Sequence, residues 1–218
     1  PFGKANQFEF GYKGDFNRLT TEFKVGSIDL VSGAYTPNLQ FTNTLDYSES
    51  VNALYTQFGT KVNKLSLLFG LRWEDSKIEI NQLVTNEFNT QKYNNLFPSL
   101  FVTYEISDEN SISFSYSKRI SRPRGRQINP FSSYTSNINI FRGDPNLTPA
   151  FTDALDLGFL KKWEKITLST STYMNKTTNA FQFIRRESGD FVNGVPVILS
   201  TPINLATEYR YGFEFTLN

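Results

Sequence analysis

Apolar and polar residues alternate with period two along much of the chain. From Ser111 to Ser121, one face carries Ser111, Ser113, Ser115, Ser117, Arg119 and Ser121, and the other carries Ile112, Phe114, Tyr116, Lys118 and Ile120. This is a strand signature, sustained over about eleven residues. Strands of soluble proteins average about five to six residues, whereas a membrane-spanning strand needs about nine to eleven. Leu65, Leu67, Phe69, Leu71 and Trp73 alternate with Ser66, Leu68, Gly70, Arg72 and Glu74 in the same way. Near the end Leu205, Thr207, Tyr209, Tyr211, Phe213, Phe215 and Leu217 alternate with Ala206, Glu208, Arg210, Gly212, Glu214 and Thr216. Leu96, Pro98, Leu100, Val102, Tyr104 and Ile106 make a further row. Shorter rows are Phe8, Phe10 and Tyr12; Val51, Ala53 and Tyr55; Leu155, Leu157 and Phe159; and Ile166 and Leu168. The pattern predicts roughly nine or ten strands.

The connections are of two kinds. Residues 60–64, 107–110 and 163–165 are short and polar, enough for tight hairpins. Residues 81–95, 122–148 and 188–195 are longer and richer in Asn, Gly or Pro. Short and long alternate, as in a barrel with short periplasmic turns and long external loops. The fold class expected is all-β: an antiparallel up-and-down transmembrane β-barrel wall, one domain over residues 1–218. A soluble sandwich or a lipocalin-like barrel shares the alternation; strand length favours the membrane wall. Trp73, Tyr104, Tyr116, Tyr173, Tyr209 and Tyr211 lie toward strand ends, where interface girdles belong. Residues 14–45 predict one or two strands. Six strands, over 51–59, 65–80, 96–106, 111–121, 151–162 and 166–175, are expected to pair sequentially. Leu67, Phe69, Leu71, Phe114, Tyr116, Phe213 and Phe215 are expected to face lipid, and Ser113, Ser115, Ser117, Arg72 and Glu214 the lumen.

Composition narrows the chemistry. The 218 residues include no Cys and no His, 16% are aromatic, and the formal net charge is +1. Mean hydropathy is −0.39, and no stretch approaches the roughly 18 apolar residues of a membrane helix, a criterion that β-barrels escape. Without His there is no Ser-His or Cys-His nucleophile and no His-ligated metal site; neither an enzyme, a cofactor nor a metal centre is expected. The near-zero charge argues against nucleic acid as a partner. The opening residues Pro1-Phe2-Gly3-Lys4 contain no initiator Met and no signal region, so a segment of a longer protein is expected.

Several motifs carry a family resemblance. Ser115-Tyr116-Ser117-Lys118-Arg119-Ile120-Ser121-Arg122-Pro123, then Asn129-Pro130-Phe131, then Gly143-Asp144-Pro145-Asn146-Leu147-Thr148-Pro149 resemble the barrel of TonB-dependent receptors, and within it the outer membrane protein β-barrel family. Gly70-Leu71-Arg72-Trp73-Glu74, Asn95-Leu96-Phe97-Pro98-Ser99-Leu100, Gly11-Tyr12-Lys13 and Tyr211-Gly212-Phe213-Glu214 fit the same pattern. Ala150 departs from it, standing where an acidic residue is frequent. The resemblance implies a bacterial outer-membrane importer of a ligand bound at external loops, built from about 22 strands around a plug. Roughly ten strands cannot close such a barrel, no plug or TonB box is recognisable, and residues 213–218 look like a strand cut midway, so an incomplete wall is expected. The implied partners are outer-membrane lipid and lipopolysaccharide, the remaining strands and plug of the same protein, TonB through that plug, and a surface lipoprotein or another outer-membrane protein. A non-transporting scaffold, or a component of an assembly or secretion complex, is the alternative.

The candidate ligand-binding residues lie in and beside the longest connection. Arg122, Arg124, Arg126 and Arg142, with Arg119 before them, can form an anion-attracting lip, or else a solvated loop whose strand arginines pair with plug carboxylates or lipopolysaccharide phosphates. Phe131, Tyr134 and Phe141 can stack on a sugar or a siderophore aromatic group; loop packing explains them equally well. Arg72, Glu74, Glu105, Asp156, Glu208, Arg210 and Glu214 fall on polar faces and are expected to line the lumen. Pro123, Pro130, Pro145 and Pro149 fix φ along the loop, and Gly143-Asp144-Pro145-Asn146 is a turn signal.

Overall fold

The computed structural model describes residues 6–136, 138–205 and 207–218. In chain order the strands are β1 (Asn6–Phe23), β2 (Gly26–Ile28), β3 (Tyr35–Pro37), β4 (Asn43–Val62), β5 (Leu65–Gln82), β6 (Glu87–Glu105), β7 (Asn110–Ser121), β8 (Ser133–Ser136), β9 (Asn139–Phe141), β10 (Ala150–Lys162), β11 (Thr167–Thr178), β12 (Phe181–Val192), β13 (Val195–Asn204) and β14 (Thr207–Leu217). One α-helical turn, α1 (Gly125–Ile128), and a 3-10 turn over Leu39–Phe41 interrupt them.

Eight strands form one antiparallel sheet in the order β1-β4-β5-β6-β7-β10-β11-β14. The six strands expected to be sequential neighbours are so. β1 and β14 are the two edges and the sheet is not closed. The other six strands belong to two small sheets, β12-β13-β9-β8 and β2-β3.

The registers fix two faces, because directly paired residues share a side. Tyr116 stands opposite Leu100 and Leu155, Leu100 opposite Phe69, and Phe69 opposite Phe58. Continued to the edges, this face takes in Phe8, Phe10 and Tyr12 of β1 and Tyr211, Phe213 and Phe215 of β14. The opposite face carries Ser113, Ser115, Ser117, Arg72, Glu74, Glu105, Asp156, Glu208, Arg210 and Glu214. The seven residues expected to face lipid thus share the apolar face, and the five expected in the lumen share the other.

The apolar rows have a limited height. On β5 they run from Leu65 to Trp73 and give way on the same face to Asp75, Lys77 and Glu79. That is about nine residues, the span of a bilayer-crossing strand, and it begins at the tight turn between β4 and β5. Trp73 Nε1 donates to Asn94 Oδ1 at 2.7 Å and Tyr116 Oη to Asp153 Oδ1 at 2.8 Å. Both are amphipathic rings at the margin of the apolar rows with their polar ends satisfied, the behaviour of interfacial aromatics.

Four sequence expectations change. Residues 81–95 are a hairpin, with β5 running to Gln82, β6 starting at Glu87 and Asn86 at φ 54° in the turn. Over residues 87–95 of β6 both faces are largely polar, so this part of the ladder forms without the contrast that marks a strand in sequence. Residues 188–195 likewise fall inside the β12–β13 hairpin, turned at Asn193 and Gly194 with φ of 50° and 81°, the positive values an Asn-Gly turn supplies. Val51, Ala53 and Tyr55 stand on the polar face, and Val51 and Ala53 are buried there. Tyr173, expected in a girdle, also stands on that face, opposite Gly212. A Cβ at Gly212 would lie 2.5 Å from the Tyr173 hydroxyl, and one at Gly11 would lie about as close to Tyr55, so these glycines are where a tyrosine lies across the neighbouring strand.

Candidate functional site

The connection between β7 and β10, residues 122–149, folds back over the polar face of β4 and β5. Ile128 of α1 and Leu147 meet Leu45, Tyr47, Ile78 and Ile80 in a buried cluster, with Tyr93 and Phe181 against it. Apolar residues on a polar face are explained by this cover: Ile78 and Ile80 lie under the loop, where the wall needs a core.

The loop is fastened by charge. Arg122 donates through Nη2 to Glu74 Oε2 and to Ser76 Oγ, the latter at 2.8 Å. Arg72 Nε donates to the other Glu74 oxygen at 2.5 Å. Glu49 lies 3.9 Å from Arg122 Nε. Glu74 is 6% exposed, so a buried carboxylate is bound by two guanidiniums, one from the wall and one from the loop. The far end of the loop is held by Gln91 of β6, which donates to the Pro145 carbonyl and accepts from the Tyr93 hydroxyl. Within the loop, Gly143 N–H donates to Asn129 O at 2.8 Å and Asp144 N–H to Gln127 O at 2.7 Å. A Cβ at Gly143 would meet the carbonyl oxygens of Asn129, Gln127 and Arg126 at 2.6–2.7 Å, so the backbone closes there only around glycine.

A second long connection, between β11 and β14, supplies the β12–β13 hairpin that stitches the outer end. β13 pairs in parallel with β9. Arg142 N–H donates to Ser200 O at 3.0 Å, and Asn204 bonds Thr148 through both amide atoms. Phe41, Ile140, Val197 and Leu199 form the small core beneath.

The sequence candidates divide among these features. Arg122 is turned inward to Glu74 and is part of the fastening. Arg119 stays on the polar face of β7, donating to Ser117 Oγ at 3.2 Å. Arg124 precedes α1 and is exposed, its backbone N–H donating to Gln127 Oε1 at 2.8 Å. Arg126 lies over the Phe141 ring, 4.5 Å from its centroid, and Phe141 also meets Phe183 at 6.1 Å. Arg142 Nε donates to Ser132 Oγ at 2.7 Å. Tyr134 lies in β8, and its side chain is outside what the structure describes. Arg126 and Phe131 come together at a cavity of about 310 Å³, closed by Thr21 and Phe23 of β1, Asn43 of β4 and Asn129 of the loop. Asn43 was not singled out by the sequence; nothing in its neighbours marks it. Among the described residues no group of three or more His, Cys, Asp or Glu converges to hold a metal.

A wide antiparallel sheet with a continuous apolar face, a polar face covered by a long inward loop, and long and short connections at opposite ends is the wall of a bilayer-spanning β-barrel. The sequence profile of the outer membrane protein β-barrel family matches residues 1–218, and the chain belongs to that family. Its place is the bacterial outer membrane. No curated protein matches the chain. Among solved structures it is similar to the FrpB iron transporter of Neisseria meningitidis (TM-score 0.62, 11% identity, 100% of this chain and 32% of that one). It is also similar to the Serratia marcescens hemophore receptor HasR, solved with its hemophore and heme (0.63, 14%, 98% and 40%), and to the copper transporter OprC (0.69, 14%, 96% and 32%). These likenesses concern the fold, and the chain spans well under half the length of each of the three.

Proposed function

We propose that this chain is part of the barrel of a TonB-dependent importer, a single wall segment over residues 1–218 that works with further strands and a plug, and through the plug with TonB. The observation that carries the reading is the loop of residues 122–149, folded into the barrel and fastened to Glu74 by Arg122. A plain scaffold has no need of an ordered constriction on its inner face. Ligand is recognised at the outer mouth by Arg119, Arg124, Arg126 and Arg142 with Phe131, Tyr134 and Phe141, while Arg122 holds the loop. Lipid and lipopolysaccharide contact the apolar face and its charged margin, and a surface lipoprotein or second outer-membrane protein docks at the loops. The FrpB, HasR and OprC likenesses support transport of a scarce nutrient and leave its identity open.

The test is uptake in cells carrying the full-length protein, with radio-iron siderophores, heme and copper as probes. Accumulation that is lost in a deletion strain, and abolished by an uncoupler of the inner membrane, is expected for at least one probe. Equal accumulation with and without the protein for all of them, with the barrel present in the outer membrane, would favour the non-transporting scaffold or assembly component.

A further inference from the structure

One row at the outer margin of the apolar face holds two lysines without carboxylate partners. Lys118 of β7 stands opposite Asp153 of β10, Asp153 opposite Lys176 of β11, and Lys176 opposite Tyr209 of β14. The row lies two residues beyond Tyr116, Leu155, Met174 and Tyr211, so it shares their lipid-facing side. It lies toward the long connections, the outer end of a bacterial barrel.

The two lysines flank Asp153, and neither pairs with it. The Asp153 carboxylate accepts from the Tyr116 hydroxyl at 2.8 Å, one row nearer the membrane. Lys118 Nζ stands over the Phe151 ring and Lys176 Nζ over the Tyr209 ring, each 5.9 Å from the centroid. Among the described residues neither ammonium is in an ion pair. A ring face attracts a cation without cancelling its charge, so two lysines against one carboxylate leave the row with a net positive charge. Elsewhere on the margin the charges balance: Lys77 of β5 stands opposite Lys92 of β6, Lys77 pairs with Glu79 at 2.8 Å, and Asp75 stands two residues from Lys77 on the same face.

The position decides the kind of ligand. On this face and at this height the neighbouring molecules are outer-leaflet lipids, with anionic groups at the water margin and acyl chains against the apolar rows. The backbones of β7 and β11 are two strand spacings apart, about 10 Å. Each ammonium ends a flexible four-carbon stem, so one phosphate group between the strands can meet both. We propose that Lys118 and Lys176 bind a phosphate group of lipid A, the acylated and phosphorylated anchor of lipopolysaccharide, whose acyl chains then lie over Leu155, Leu157 and Met174. The assignment deepens the proposed contact of lipopolysaccharide with the charged margin and rests on it.

The experiment is native mass spectrometry on the delipidated full-length protein in detergent, titrated with lipid A and separately with dephosphorylated lipid A. The wild type should bind lipid A about 30-fold more tightly than the dephosphorylated form, the worth of two lysines beside an anionic lipid headgroup. Lys118→Ala combined with Lys176→Ala should lose that factor for lipid A alone; if the double variant does not fold, each single variant should lose about fivefold. Asp153→Asn keeps an acceptor for Tyr116, removes the opposing charge, and should tighten lipid A binding about fivefold. Lys92→Ala, on the same margin but outside the row, should change nothing. Equal binding of the two lipids by the wild type, undiminished binding by the lysine variants, no gain in Asp153→Asn, or as large a loss in Lys92→Ala overturns the site. Lipid binding is read without uptake, so the site can fail while import stands, and import can fail while the site stands.

Discussion

Replacing Arg122 by Ala tests the fastening of the inward loop. Arg122 is 18% exposed and its partner Glu74 8% by side chain, so the pair is largely out of water. Removing one member of a buried pair costs about 3–5 kcal/mol, mainly because the other charge is stranded. Arg72 remains bonded to Glu74 in the variant, which places the cost at the lower end, about 3 kcal/mol. Stability is tenfold per about 1.4 kcal/mol, so the undocked loop should become roughly 100-fold more populated. Ile128 and Leu147 have amides bonded inside the loop, to Arg124 O and Asp144 O, and their exchange reports undocking. Hydrogen exchange with mass spectrometry on the full-length protein should show peptides from residues 122–149 exchanging up to about 100-fold faster, with β5 peptides below Trp73 unchanged. A loop as protected in Arg122→Ala as in the wild type would refute the role given to this pair.

Further outcomes follow from the same geometry. Gly143→Ala drives a Cβ into three backbone carbonyls and should destabilise the loop by about 1–3 kcal/mol, seen as tryptic cleavage near Arg124 or Arg126 that the wild type resists. Ile78→Ala empties a side chain that is 0% exposed and should cost about 2–5 kcal/mol, measured by urea unfolding in bilayers; an unchanged midpoint would mean that the loop does not cover the wall. Phe114→Lys should impair folding into bilayers by about 2–4 kcal/mol, whereas Ser115→Lys on the opposite face should be tolerated; equal folding of the two would reject the faces.

How much of this was legible depended on contrast between the two sides of a strand. Where lipid meets one face and water or protein the other, as at Phe114 and Ser115, the period-two pattern set both element and orientation. Over residues 87–95 of β6 that contrast is weak, and residues 81–95 look like a loop in sequence although β5 and β6 pair through them up to Gln82 and Glu87. Val51 and Ala53 misled in the opposite sense: they are apolar on the polar face, opposite Ser76 and Glu74, and are buried there. The fastening was half visible. Glu74 was placed on the inner face and Arg122 in the loop, but pairing them requires the fold-back of 48 residues of separation. Asn43 carries no signal, because its side-chain bond to Gln82 forms only when β4 and β5 pair.

The alternating faces of this sheet, lipid on one side and a barrel interior on the other, can be read residue by residue. The sequence has no Cys, so single cysteines at each position from Ser111 to Ser121 can be introduced into the full-length protein with no native thiol of this region to remove. In outer-membrane vesicles, labels at positions 112, 114 and 116 should be quenched by brominated lipid and shielded from aqueous maleimide. Labels at 113, 115 and 117 should show the reverse, giving a two-residue oscillation. A flat profile, or accessibility to water at both sets, would show that this sheet does not divide lipid from a barrel interior.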